Sequence, residues 1–283
     1  MSNKIYFSDK RTSKSLSYYL VKALSNAAYF LAPKFAKQQT QKLLLTPILS
    51  KKLKSTQTDF EQQKLATQYG DLNLYRIGQG PKVILTHGWA GGGAQFFTLM
   101  EKIAEAGYEA IAFDHLAHGN SGGKFANLPL FIKGLKTVLN HEGKGNLACI
   151  VSHSMGTVSA LNQDKSIKHL LIAPTFGFYQ SFEQRILSTG LKSRLFHNLL
   201  SDIEVEHDLT FKSLLPEPHL SQTQQQIQIV HDEGDKFAPF DLTAEQVSQF
   251  EHVNLTATQG LGHGRVINSE QTWQAFLSLM KAA

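Results

Sequence analysis

Ser154 lies in the run Val151-Ser152-His153-Ser154-Met155-Gly156-Thr157, between an apolar stretch and a helical one. A serine on a sharp strand-to-helix turn is held out of the sheet, near the positive end of the helix that follows. Such a turn brings backbones together, so the positions two before and two after must be small. Gly156 fits, and Ser152 stands where glycine is usual. A second loop, His87-Gly88-Trp89-Ala90-Gly91-Gly92-Gly93, has a backbone free enough to aim an N–H at a developing oxyanion, with the Met155 N–H as the other donor. It lacks the lysine and the glycine spacing of a phosphate loop, and no dinucleotide glycine pattern fits it. A third loop, His231-Asp232-Glu233-Gly234-Asp235, offers two aspartates, either able to orient a histidine. A fourth, Gly260-Leu261-Gly262-His263-Gly264, leaves His263 free to project between glycines. Twelve histidines make no single one distinctive. The order Ser, Asp, His, each after its own strand, is what points to nucleophilic acyl transfer.

The elements that must position these loops alternate along the chain. Strands are predicted at 72–76, 82–86, 109–113, 146–152, 168–173, 227–230 and 253–257. Helices are predicted at 94–106 and 128–139, with a last one through Trp273, Phe276, Leu277 and Met280. The runs at 146–152 and 168–173 are apolar almost throughout, as strands buried on both faces should be. This texture predicts an α/β domain over 67–283: a mostly parallel sheet with helices on both faces and ligands at the carboxyl ends of the strands. Residues 175–223 break the rhythm, about 49 positions where a crossover needs about a dozen. That length, with Phe176, Phe178, Phe182, Phe196 and Phe211 in it, reads as a short helical lid insertion.

Residues 1–66 form a basic helical extension. The first 60 residues carry eleven Lys and Arg against Asp9 and Asp59, a charge of +9, so with +5 overall the remainder carries −4. The main body therefore has no basic surplus, which argues against a nucleic acid ligand. Leu16, Leu20, Leu24, Ala27, Leu31 and Phe35 recur at helical spacing, Pro33 should kink or end that helix, and a second helix is predicted over 38–53, followed by a linker at 55–58. The lysines are spread along the arm and not massed, so the expectation is a helical extension packed on the main domain with its lysines in water. Peripheral membrane contact through residues 1–54 is the less favoured reading. One cysteine, Cys149, in an apolar strand, rules out a disulfide framework and a cysteine-based zinc site. No apolar run reaches 18 residues and no signal peptide is read, so the expected location is the cytoplasm.

Taken together, His87-Gly88-Trp89, Asp114 with His118-Gly119-Asn120-Ser121-Gly122, Ser154, Asp235 and His263 resemble the α/β-hydrolase superfamily from about residue 67 to the end. The resemblance implies Ser154 as nucleophile, Asp235 as the acid and His263 as the base. It puts the Trp89 and Met155 amides in the oxyanion hole, and gives site-shaping roles to His87, Gly88 and Gly156. Asp114 and His118 become structural. Asp232 is the weaker candidate for the acid, expected to cap its turn or meet solvent. The implied activity is hydrolysis of a small-molecule ester or thioester through an acyl-enzyme, with no metal and no organic cofactor. The same triad serves acyltransferases and carbon–carbon bond hydrolases. A non-catalytic hydrolase-like protein with a membrane- or partner-binding arm is the reading from a different class.

Overall fold

The computed structural model describes residues 15–48, 60–143, 145–223 and 225–281. The predicted linker at 55–58 and the end of the predicted second helix, 49–53, lie outside the described residues, as do seven of the eleven basic residues of the arm. The chain divides into two compact units, one of Pro47–Phe176 with Pro216–Ala283, the other of Met1–Thr46 with Gly177–Leu215.

The larger unit is an eight-stranded sheet: β1 (Glu61–Leu65), β2 (Leu72–Ile77), β3 (Lys82–Thr86), β4 (Glu109–Asp114), β5 (Leu147–His153), β6 (His169–Ile172), β7 (Ile227–Asp232) and β8 (Val253–Thr258). Their spatial order is β1-β2-β4-β3-β5-β6-β7-β8. β2 runs antiparallel to both β1 and β4, and every other neighbouring pair is parallel. The expected α/β architecture is present. The sheet starts at Glu61, earlier than the change of texture near residue 67. β1 reads Glu-Gln-Gln-Lys-Leu and is mostly exposed, so it has neither the apolar run nor the alternation that marks a strand. Polar, charged residues are what an edge strand needs to deter pairing with another chain.

Alternate residues of each strand go to opposite faces. Val83, Leu85, Cys149 and Val151 pack with Met100 and Ile103 of α3 (Phe97–Glu105) and Phe276 of the last helix (Glu270–Lys281). Ile84, Ile111 and Ile150 go the other way, against Leu135 and Val138 of α4 (Leu128–Glu142) and Ala160 of α5 (Gly156–Leu161). Burial pushes the Cys149 thiol up to about 12, as befits a core side chain. The parallel strands thus deliver all their carboxyl-end loops to one edge of a rigid, doubly covered sheet.

The smaller unit joins α1 (Leu16–Leu31) and α2 (Pro33–Leu45) to α6 (Phe178–Ser188) and α7 (Ser193–His207). Pro33 ends α1 and opens α2 as its first residue, where its missing N–H costs nothing. Lys37 pairs with Asp202 at 2.9 Å. Ser25 accepts from the Lys192 amide at 3.1 Å, and Lys192 Nζ donates to Asn26 Oδ1 at 2.6 Å. Of the insertion expected at 175–223, residues 177–215 belong to this unit, while α8 (Pro216–Gln222) belongs with the sheet.

Candidate active site

β5 runs out at Ser152 and His153, and Ser154 leaves the sheet with φ at 54°, a left-handed backbone that costs energy for any residue with a Cβ. Hydrogen bonds hold it there. Its amide donates to the Ile172 carbonyl at 3.0 Å, and its carbonyl accepts from the Thr157 amide at 2.9 Å and the Thr157 hydroxyl at 2.6 Å. A Cβ at Gly156 would sit 2.6 Å from the Thr86 carbonyl oxygen and 2.7 Å from that of His87, so only glycine fits. Ser152 is fully buried, and its hydroxyl has no partner among the described residues.

The loop after β3 passes directly beneath the serine. A Cβ at Gly88 would stand 2.6 Å from Ser154 Cβ and 3.1 Å from the Met155 nitrogen, so glycine keeps the space before that amide open. Neither the Trp89 nor the Met155 amide is used in a loop or cap hydrogen bond among the described residues. Three histidines brace this loop. The His115 amide donates to His87 Nε2 at 2.9 Å, so the His87 proton is on Nδ1, which donates to the Gly88 carbonyl at 2.7 Å. The Ala90 amide donates to His118 Nε2 at 3.1 Å, and His118 Nδ1 donates to the Leu116 carbonyl at 2.9 Å. Burial lowers His87 to about 4; burial and then the nearby His87 lower His118 to about 3, so both act as fixed neutral struts. Asp114 accepts from the Gly93 amide at 2.8 Å, the Asn120 amide at 2.8 Å and the Tyr75 hydroxyl at 2.9 Å. It ties together the loops after β3 and β4.

The carboxyl end of β7 and the loop after β8 supply the other pair. His263 Nδ1 donates to Asp235 Oδ2 at 2.6 Å, with the Asp235 side chain buried and the imidazole 16% exposed. The other oxygen of Asp235 accepts from the amides of Phe237 at 2.7 Å and Ala238 at 3.1 Å. Burial alone would raise this carboxyl. Hydrogen bonds from His231 and His263, the His263 charge and the Phe237 amide outweigh it and hold Asp235 well below the usual carboxylate range. The geometry therefore brings Asp235 and His263 together. No described residue hydrogen-bonds the Ser154 hydroxyl; in such sites without substrate that bond is commonly long.

Two histidines at the site were not singled out by sequence. His231 is fully buried; the Thr243 hydroxyl donates to its Nδ1 at 2.9 Å, and its Nε2 reaches Asp235 Oδ2 at 3.3 Å and the Ala238 carbonyl at 3.1 Å. His153 Nε2 donates to the His263 carbonyl at 2.9 Å, with the two rings 4.7 Å apart, and burial lowers His153 to about 3. It links the residue before Ser154 to the backbone of His263. Nothing in their spacing separates them from the other histidines; only the fold places them.

Of the two roles expected for Asp232, it takes the first: it caps its turn by accepting from the Gly234 amide at 3.0 Å. It does not meet solvent, being 1% exposed and also accepting from the Leu261 amide at 2.8 Å and the Thr258 hydroxyl at 3.0 Å. It clasps the end of β8 and the first turn of the loop that carries His263. Asp232→Ala leaves those buried donors unpaired and is expected to cost about 1–3 kcal/mol in urea unfolding, roughly the penalty for such groups. A stability equal to the parent's would show that water replaces the carboxylate there. Among the described residues, no group of three His, Cys, Asp or Glu side chains is placed to hold a metal ion.

A family model described as the α/β hydrolase fold matches residues 81–162, from before the loop of His87 to the end of α5. No curated protein sequence matches the chain. Among solved structures, an esterase from Pyrococcus furiosus is 18% identical, covering 84% of this chain and 96% of its own, with a TM-score of 0.60. The thioesterase domain from the curacin biosynthetic pathway is 16% identical over 78% of this chain and 100% of its own, TM-score 0.59. A bacterial membrane phospholipase A is 13% identical over 95% of this chain and 98% of its own, TM-score 0.59. The resemblance therefore holds at the level of the fold: this chain has the α/β-hydrolase fold, and residues 81–162, which include Ser154, match that family's model in sequence.

Proposed function

We propose that the protein is a serine hydrolase that cleaves an ester or thioester through an acyl-enzyme. The observation that carries this reading is the 2.6 Å Asp235–His263 hydrogen bond, in the same unit as a serine whose backbone is held at a φ of 54°. His263, its tautomer set by Asp235, takes the proton of Ser154 as the hydroxyl attacks the carbonyl carbon. The tetrahedral oxyanion forms in the space that Gly88 leaves open, where the Trp89 and Met155 amides can donate to it. His263 then passes the proton to the leaving alcohol or thiol, and water releases the acyl group by the reverse sequence. Esterase and thioesterase neighbours of the same fold support this choice of substrate class.

A fluorophosphonate tests it, because that reagent is captured only by an activated serine. The expected result is one covalent adduct, on Ser154, located by peptide mass spectrometry. Ser152, in the same peptide region but fully buried, is the internal control. Folded protein that stays unlabelled, or labelling that persists in Ser154→Ala, contradicts the proposal.

A further inference from the structure

α1 packs with the face opposite to the one its sequence marks as apolar. At 3.6 residues per turn, Leu16, Tyr19, Leu20, Leu24, Phe30 and Leu31 fall, with Ala23 and Ala27, in one arc of about 140°. A stripe of this kind ordinarily faces a core. Here all six large side chains are exposed, from 56% at Tyr19 to 86% at Leu16. The inward position is Ser25, the one buried residue of the helix, hydrogen-bonded to Gly190 and Lys192. The expectation that the stripe would be covered by packing is thus overturned: the helix is anchored by polar contacts and holds its hydrocarbon outward. Phe35 and Leu43 of α2 are exposed as well, at 57% and 68%. An exposed apolar stripe of this kind along a helix marks an interaction site.

Charge selects the occupant. Residues 15–48 contain Lys22, Lys34, Lys37 and Lys42, all exposed, and no Asp or Glu, and of the four only Lys37 is ion-paired among the described residues, with Asp202. Pairing with a second copy across a two-fold axis would set one acid-free basic segment against another. An anionic lipid surface offers both what the stripe lacks, an apolar layer at headgroup depth, and the opposite charge. No described helix is long and apolar enough to cross a membrane. α1, at 16 residues and held through Ser25 and Asn26 to Gly190 and Lys192, suits lying in the interface.

We propose that the outward face of α1, with the exposed lysines of residues 15–48, docks the protein on an anionic phospholipid surface. The test is sedimentation of the full chain with vesicles of phosphatidylcholine containing phosphatidylglycerol, against vesicles of phosphatidylcholine alone. The expected result is binding at least about tenfold stronger to the anionic vesicles, falling as salt is raised because surface charge is screened within about 8 Å at physiological ionic strength. A Leu20→Gln/Leu24→Gln/Leu31→Gln variant should lose at least about a hundredfold in binding, since each leucine carries a large apolar transfer term. Circular dichroism checks its fold. Lys34→Gln/Lys42→Gln, at exposed positions, should weaken binding and flatten its salt dependence, and decides the matter if the leucine variant misfolds. No vesicle binding, equal binding to both vesicle types, or full binding by either variant overturns the proposal. So does a lipid-free dimer that the leucine substitutions convert to monomer.

Discussion

Ser154→Ala is expected to lower the turnover of a nitrophenyl ester by on the order of 10⁶ while leaving the fold intact. The scale is that of removing the nucleophile from a serine protease, where the oxyanion site and substrate binding leave a residual rate above that of water. The folding expectation has its own basis. The Ser154 hydroxyl makes no hydrogen bond to a described residue, so its loss orphans no partner; alanine keeps the Cβ against which Gly88 is fitted. The left-handed φ costs alanine as much as serine, so the strain is unchanged. Comparing kcat with thermal unfolding of the same preparation separates the two effects. Substantial turnover by a well-folded Ser154→Ala would move the nucleophile elsewhere and end the acyl-enzyme reading.

How much of this could be read from the chain follows from what each signal encodes. The strand–loop order carried the sheet and the loops of Ser154, Asp235 and His263, because a doubly covered parallel strand leaves an apolar run and its carboxyl end must turn. β1 left no such run: an edge strand is polar for the sake of its exposed backbone, and Glu61–Leu65 reads as loop. Periodicity located the apolar arc of α1 but not its direction, since period reports an apolar face and never what covers it. The braces were hidden for a different reason. His87 and His118 each hold a backbone amide of the other's loop, His115 meets the Thr86 hydroxyl, and His153 and His231 hold groups that only the folded sheet brings near. Asp232 and Asp235, three residues apart in one loop, show the limit best. Both accept backbone amides and both are buried, and only one meets an imidazole that reaches solvent.

That difference fixes the second large effect. Asp235→Asn is expected to keep the fold and cost on the order of 10⁴ in turnover, the scale for an acid-to-amide change in a serine-protease triad. The amide can still present an oxygen to Phe237 and Ala238, so the loop keeps its turn. What it loses is the charge that draws the proton to His263 Nδ1 and that, in the proposed mechanism, stabilises the imidazolium formed as Ser154 attacks. His231 sharpens the expectation. Its Nε2 also donates toward the carboxylate, and the Thr243 hydroxyl donates to its Nδ1, so Asp235 is held by a buried imidazole on one side and His263 on the other. An amide placing its NH₂ toward either ring would face a donor with a donor. Stability should change in a pH-dependent way. The parent's carboxyl lies below its unfolded value near 3.9, so its stabilisation is complete above that pH and is lost as pH falls through the folded value. The asparagine variant should lack that slope, and the gap between the two proteins in urea should narrow on acidification. His263→Ala should be as severe as Asp235→Asn and the double variant scarcely worse, because the two act as one unit. Additive losses in the double variant, or an active Asp235→Asn beside a dead Asp232→Asn, would instead place the acid three residues earlier.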